Sequence, residues 1–324
     1  MYQAYTGQKG FALRVLFSGR KSWKVAIAIV AALLCLATPV SAQRILGVDV
    51  SAHQSDISTA NWATLKRATN QQVSGVFGDG RDFVFIRSSR GGTTGEDHRQ
   101  GGYALGDTFF TLSQRYDDPY FVQNMNRSTA AGFLAGSYHF ARPDVMATNL
   151  NSDGVTTAGF DNTGTDEADH FIQMAGAWMR PGYLLPVLDL EAGQTQRTSA
   201  QLTTFCIEFA DRIYQVTGIR PLVYINGNYA NYVQSSIIAA IPNIWTARWP
   251  NQTDPNSIPV QTGHPKDSYT PIYGPWDDPP LPTHPWKFWQ YDTTGGLNGY
   301  GGNLDKDAAN GGIEFVKDFL VPAI

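Results

Sequence analysis

Leu184-Leu185-Pro186-Val187-Leu188-Asp189-Leu190-Glu191 is a short apolar run that ends in two carboxylates two residues apart. A run of this length and composition reads as a buried β-strand. Side chains at i and i+2 of a strand point to the same face. Asp189 and Glu191 are therefore expected to project together from the strand's C-terminal end. Two acids crowded into a partly desolvated place do not both ionise easily, so one of them keeps its proton. The result is a proton donor beside a carboxylate, the pairing that glycosidic-bond cleavage uses. The same residues also read as loop or cap carboxylates behind a core strand.

Further runs of this kind lie at 45–51, 83–89, 134–140, 221–226, 243–249 and 286–291. Helix-like stretches at 62–69, 119–131, 166–179 and 199–217 separate them, the last with Ser199 as candidate cap and Gly218 as its end. Strand–helix alternation at this spacing implies an α/β fold with a parallel sheet. The number of units favours a single closed β/α barrel of the TIM-like kind, with its active site at the C-terminal ends of the strands. Asp49, Arg87, His139, Asp189 with Glu191, Tyr224, Arg248 and Gln290 fall at or near those ends. Stretches 143–165 and 250–285 read as loops that overhang the site.

The first residues read as an address rather than as fold. Lys9, Arg14, Arg20, Lys21 and Lys24 precede an apolar run at 25–37, and Val40-Ser41-Ala42 offers small residues for cleavage. A secretory signal peptide over 1–42 and a catalytic barrel over 43–324 are expected. Removing those five basic residues takes the formal charge from −4 to −9. An acidic surface argues against nucleic acid as partner. Cys206 alone remains, amid apolar neighbours on a helix, and reads as a buried inert thiol. The six histidines form no two-His helix pair of the zinc-protease type, and neither metal nor cofactor is expected.

With these residues in order, the chain resembles glycoside hydrolase family 25, the Chalaropsis-type or cellosyl-type muramidases. The likeness is carried by Gly47-Val48-Asp49-Val50-Ser51 with Gln54, by Phe83-Val84-Phe85-Ile86-Arg87, and by Asp118-Pro119-Tyr120-Phe121 with Asn124. It continues through Gly136-Ser137-Tyr138-His139-Phe140 and the strand from Pro186 to Glu191. Pro221-Leu222-Val223-Tyr224, Trp245-Thr246-Ala247-Arg248-Trp249, Phe288-Trp289-Gln290-Tyr291 and Asn303-Leu304-Asp305 complete it. The resemblance implies hydrolysis of the β-1,4 bond between N-acetylmuramic acid and N-acetylglucosamine in peptidoglycan, by a secreted monomer, extracellular or periplasmic, with no membrane contact once the leader is removed. It implies Glu191 as general acid, Asp189 as the residue that orients the substrate's 2-acetamido group, and Asp49 as a further catalytic acid. Asp305, Tyr138, Tyr224, Trp245, Trp289 and Gln290 are the expected substrate contacts. His139 is expected to play a supporting structural part while Tyr138 faces the sugar, and Trp289 and Tyr291 are assigned to opposite faces.

One departure stands out. The family usually has a lysine, two residues, then Glu-Gly after its second strand. Here the segment is Arg87-Ser88-Ser89-Arg90-Gly91. Arg90 reverses a charge at a position expected near the rim. A second reading follows, a cell-wall-binding protein that keeps the barrel and has weakened catalysis. A chitinase-like hydrolase is a third and weaker one, because that family's longer acid series is missing.

The leader generates a first prediction. Exported protein should begin at or near Gln43, and N-terminal sequencing that found Met1 in place would replace the cleaved leader with an anchor.

Overall fold

Eight strands close into a barrel whose inner and outer faces carry separate apolar clusters. The computed structural model describes residues 44–93, 115–147, 161–249, 255 and 286–323. They belong to a compact unit, Ala42–Ile324. The expected leader and most of the loops expected at 143–165 and 250–285 lie outside the described residues.

The barrel strands are β1 (Leu46–Val50), β2 (Arg81–Arg90), β3 (Leu134–Phe140), β4 (Val187–Asp189), β5 (Leu222–Asn226), β6 (Asn243–Ala247), β7 (Phe288–Asp292) and β8 (Asp305–Ala309). From β1 to β7 each strand runs parallel to the next, and β8 closes the ring antiparallel to both β7 and β1. The sheet is therefore mixed, not wholly parallel as strand–helix alternation implies. Strand β8 is not among the apolar runs of the sequence because Asp305-Lys306-Asp307 is charged throughout. It is a strand because it hydrogen-bonds to neighbours on both sides.

Inward positions carry Phe83, Phe85, Val187, Leu222, Trp245 and Phe288, which fill the barrel floor with Leu184 and Phe319. Phe85 stacks on Trp245 at 4.7 Å between ring centroids, an arrangement that contributes about 0.5–1.5 kcal/mol beyond simple burial. Outward positions Val48, Val84, Ile86, Leu188, Val223 and Ile244 pack in the helix layer. The helices are α1 (Thr59–Lys66), α2 (Phe121–Ala130), α3 (Gly164–Ala175), α4 (Ser199–Thr217) and a short α5 (Ile313–Lys317). Thr198, not Ser199, caps α4, in a reciprocal box with Gln201, and Gly218 ends the helix at φ 72°. Among the described residues no helix is long and apolar enough to cross a membrane.

Gly47 is the close-approach position of the floor. A methyl group on it would lie 2.5 Å from the Phe83 ring. Phe83 is fully buried and wedged against Phe85 and Phe288, so it has nowhere to retreat. Gly47→Ala should destabilise the protein by about 1–3 kcal/mol, the usual range for overpacking. Denaturant unfolding checks this, and an unchanged midpoint would mean that the Phe83 ring yields freely.

Candidate active site

The apolar floor gives way to polar side chains at the C-terminal ends of the parallel strands, where a cavity of about 290 Å³ opens. Its wall draws Asp49 from β1, Arg87 from β2, Tyr138 from β3, Asp189 from β4, Tyr224 from β5, Trp245 from β6, Gln290 from β7 and Asp305 from β8. Glu191 joins them two residues beyond Asp189. Strand β4 ends at Asp189, earlier than its apolar run suggests, yet the hydrogen bonding to β5 continues one residue further. Leu190 N–H donates to the Tyr224 carbonyl at 3.0 Å, and Leu190 packs outward in the helix layer. That alternation returns Glu191 to the inside.

Hydrogen bonds fix much of the wall. Tyr224 Oη donates to Gln290 Oε1 at 2.9 Å, and Trp249 Nε1 donates to the same oxygen at 3.3 Å. Gln290 Nε2 in turn donates to Asp49 Oδ2 at 2.8 Å. Arg87 Nε donates to Asp118 Oδ2 at 3.1 Å. Asp118 is itself pinned by Ala52 N–H and Tyr120 N–H. Asp189 Oδ1 is buried and has no hydrogen-bond partner among the described residues.

Burial and mutual repulsion push the carboxyl groups up. Asp189 is raised well above the ordinary aspartate value by desolvation and by Glu191, against the pull of Arg87. Glu191 is raised to about 7 by desolvation and by Asp305, although solvent reaches it through the cavity mouth. Asp305 rises to about 6 by desolvation and the nearby Asp292. Asp49 rises well above its usual range by desolvation, then Asp305 and Asp307. The cavity thus holds proton donors and carboxylates side by side near neutral pH. Among the described residues no group of three or more His, Cys, Asp or Glu side chains is arranged to hold a metal ion.

Several expected positions lie elsewhere. Trp289 does not line the cavity. It neighbours the inward Gln290 and so points out of the barrel, fully buried against Trp286 and Tyr291, its Nε1 donating to the Arg248 carbonyl at 2.6 Å. Trp289 and Tyr291 share that outer face, as residues two apart on a strand must. Arg248 is exposed and absent from the wall. His139 is fully buried in the helix layer, its ring between Ser89 Oγ at 2.8 Å and Glu167 Oε2 at 3.2 Å, and burial pushes it well below the usual histidine value. Arg90 is not at the rim. It is buried, with its guanidinium 5.6 Å from the Tyr116 ring centroid. Cys206 is buried, and its thiol is pushed up to about 12 by desolvation.

Asp307 was not legible as part of this constellation. It is fully buried, accepts from Trp245 Nε1 at 2.9 Å and borders Asp49. The i, i+2 rule that pairs Asp189 with Glu191 would have paired it with Asp305, had the segment been read as a strand.

With the geometry in place, comparison with known proteins is informative. The model for glycosyl hydrolases family 25 matches residues 155–300. Lysozyme M1 of Streptomyces globisporus is 25% identical over 281 residues, which cover 84% of this chain and 70% of that protein. N,O-diacetylmuramidase of a Chalaropsis species is 29% identical over 180 residues, 47% of this chain and 78% of its own. Among solved structures, a bacterial lysozyme from Streptomyces coelicolor superposes with a TM-score of 0.57 at 22% identity, covering 86% of this chain and 97% of that one. A family GH25 lysozyme from Aspergillus fumigatus gives 0.55 at 19% identity, with coverage of 86% and 100%. The structural likenesses establish the barrel fold.

The electrostatics of Glu191 generate a stability prediction. Its folded pKa of about 7 exceeds the ordinary 4.5. Between those values the folded chain holds a proton that the unfolded chain has released, so stability falls as pH rises through this window. Glu191→Gln removes that burden. The variant's thermal midpoint should exceed the wild type's by more at pH 8 than at pH 4.5. A gap independent of pH would show that folding places no strain on this carboxyl.

Proposed function

For this chain, a glycoside hydrolase that resembles family 25, we propose an N-acetylmuramidase activity: cleavage of the β-1,4 bond between N-acetylmuramic acid and N-acetylglucosamine in peptidoglycan. The observation that carries the reading is the Asp189–Glu191 pair, two raised carboxyl groups on one wall of the cavity. The matches to Lysozyme M1 and N,O-diacetylmuramidase support the substrate class.

In this reading Glu191 is the general acid. With its pKa at about 7, it holds a proton at neutral pH and gives it to the glycosidic oxygen as the C–O bond breaks. Asp189 orients the 2-acetamido group. Its buried, unpartnered Oδ1 is an acceptor suited to an amide N–H. Arrival of that donor favours ionised Asp189 and leaves the shared proton on Glu191. The acetamido oxygen then attacks the anomeric carbon, and water opens the cyclic intermediate while the Glu191 carboxylate takes its proton. Asp49 is a further catalytic acid. Asp305, Tyr138, Tyr224, Trp245 and Gln290 make the sugar contacts, and exposed Trp249 offers a stacking face at the rim. Trp289, turned away from the cavity, is not among them. The chain acts outside the cell as a monomer, after loss of a leader over 1–42. The alternative of weakened catalysis has lost its motive, since Arg90 is buried against Tyr116 rather than set in the cavity wall.

Glu191→Gln keeps the shape of the side chain and removes the proton. Turnover of peptidoglycan should fall by about 10²-fold or more, the scale of general acid catalysis, while glycan binding persists. Proton NMR of the wild-type digest at early times should show the β-anomer first, because two inversions give retention. Near-normal turnover by the variant would remove Glu191 from its role. An initial α-anomer would replace the acetamido route with direct attack of water, activated by Asp49 or Asp305.

A further inference from the structure

Asp307 plays no part in the scheme above, yet it is fully buried inside the barrel. Its Oδ1 accepts from Trp245 Nε1, while its Oδ2 is buried with no donor among the described residues. Gly47 stands opposite Asp307 in the β1–β8 register and Asp305 opposite Asp49, so the two inward layers of acids are adjacent. Asp307 and Asp49 are therefore neighbouring inward residues across the β1–β8 pair, and the charge of Asp307 acts on Asp49. Asp49 already receives Gln290 Nε2 on Oδ2. Two bare carboxylates so placed, with Asp307 fully buried, would repel strongly and leave Oδ2 unsatisfied.

We propose that Asp307 and Asp49 share a single proton, and that Asp307 is thereby the positioning residue that holds Asp49 at the cavity wall. One O–H···O bond turns the repulsion into a link and completes the hydrogen bonding of Asp307. The groups that face the pair are Asp305 on β8, Asp189 on β4, Arg81 on β2 and the phenols Tyr138 and Tyr224. Arg87 on the same wall is paired with Asp118, and among the described residues the acids outnumber the cations; burial adds to their effect, so the field retains the proton. Asp49, tied by Gln290 on one oxygen and by Asp307 beside it, is oriented to stabilise charge rather than to strip a proton from water.

The inference rests on the hydrolase reading only for what Asp49 does, so its first test needs no substrate. Carboxyl-carbon NMR of aspartate-labelled protein should show a titration displaced well above the ordinary aspartate range that Asp307→Asn abolishes, since the amide donates to Asp49 permanently. An unchanged set of titrations would overturn the proposal. So would failure of Asp307→Asn to fold, because a shared proton makes a neutral isostere acceptable. The second test compares Asp307→Asn with Asp307→Leu on peptidoglycan. The amide should exceed the leucine variant in kcat by about tenfold, the scale of one hydrogen bond to a charged group, with KM similar. Equal kcat values in two folded variants would show that Asp307 merely fills space.

Discussion

The period-two alternation of a closed sheet is the constraint on which this molecule depends. Every second side chain must point into the barrel, and the interior admits few of them. The lower inward positions take Phe83, Phe85, Val187, Leu222 and Phe288, with Gly47 yielding its volume to the Phe83 ring. The same alternation, continued upward, brings Asp49, Asp189, Glu191 and Asp305 to one cavity, with Asp307 buried beside them. Hydrophobic floor and acidic mouth are one pattern read at two heights.

Crowding acids in this way is unfavourable in itself, and the surroundings show how it is managed. Asp307 is served by an indole N–H and Asp49 by an amide N–H. Arg87 brings a positive charge to the wall and is held there by Asp118, which two backbone amides fix in turn. Asp189 and Glu191 are raised as well, by desolvation and by neighbouring acids, with Arg87 opposing both shifts. Unrelieved electrostatic strain at a cavity wall is what a glycosidase requires, because a carboxyl that ionised freely could not donate a proton at neutral pH.

A second buried polar cluster supports the mouth from outside the barrel. Glu167, at the start of α3, accepts from Arg142 N–H and Asn162 Nδ2 and meets His139 Nε2, and burial raises it to about 8. A bulge in β2 between Arg87 and Ser89 shifts the register so that Ser89 pairs with His139 and meets its ring. The cluster ties α3 to the chain that leaves β3. Its role is to hold geometry, and His139 belongs to it rather than to the cavity.

Much of this was legible in the residues themselves. The run from Val187 to Glu191 declares a strand with two acids on one face, because alternation is a local rule that needs no tertiary knowledge. Asp49, Tyr224 and Gln290 follow from the same reasoning, since each ends an apolar run. Where polar residues dominate, the rule had nothing to grip. Asp305-Lys306-Asp307 is a strand only because β1 and β7 hydrogen-bond to it from either side, and no local signal announces such partners. The inner and outer faces of β7 were likewise set by the barrel, which took Gln290 inward and sent Trp289 out. Arg90 went to Tyr116 because a two-residue strand, Tyr116–Asp117, pairs antiparallel with the end of β2. The sequence by itself determined which residues have the chemistry and which strands carry them. Only the closed barrel decided their company, because neighbours across strands are fixed by register and closure, not by spacing along the chain.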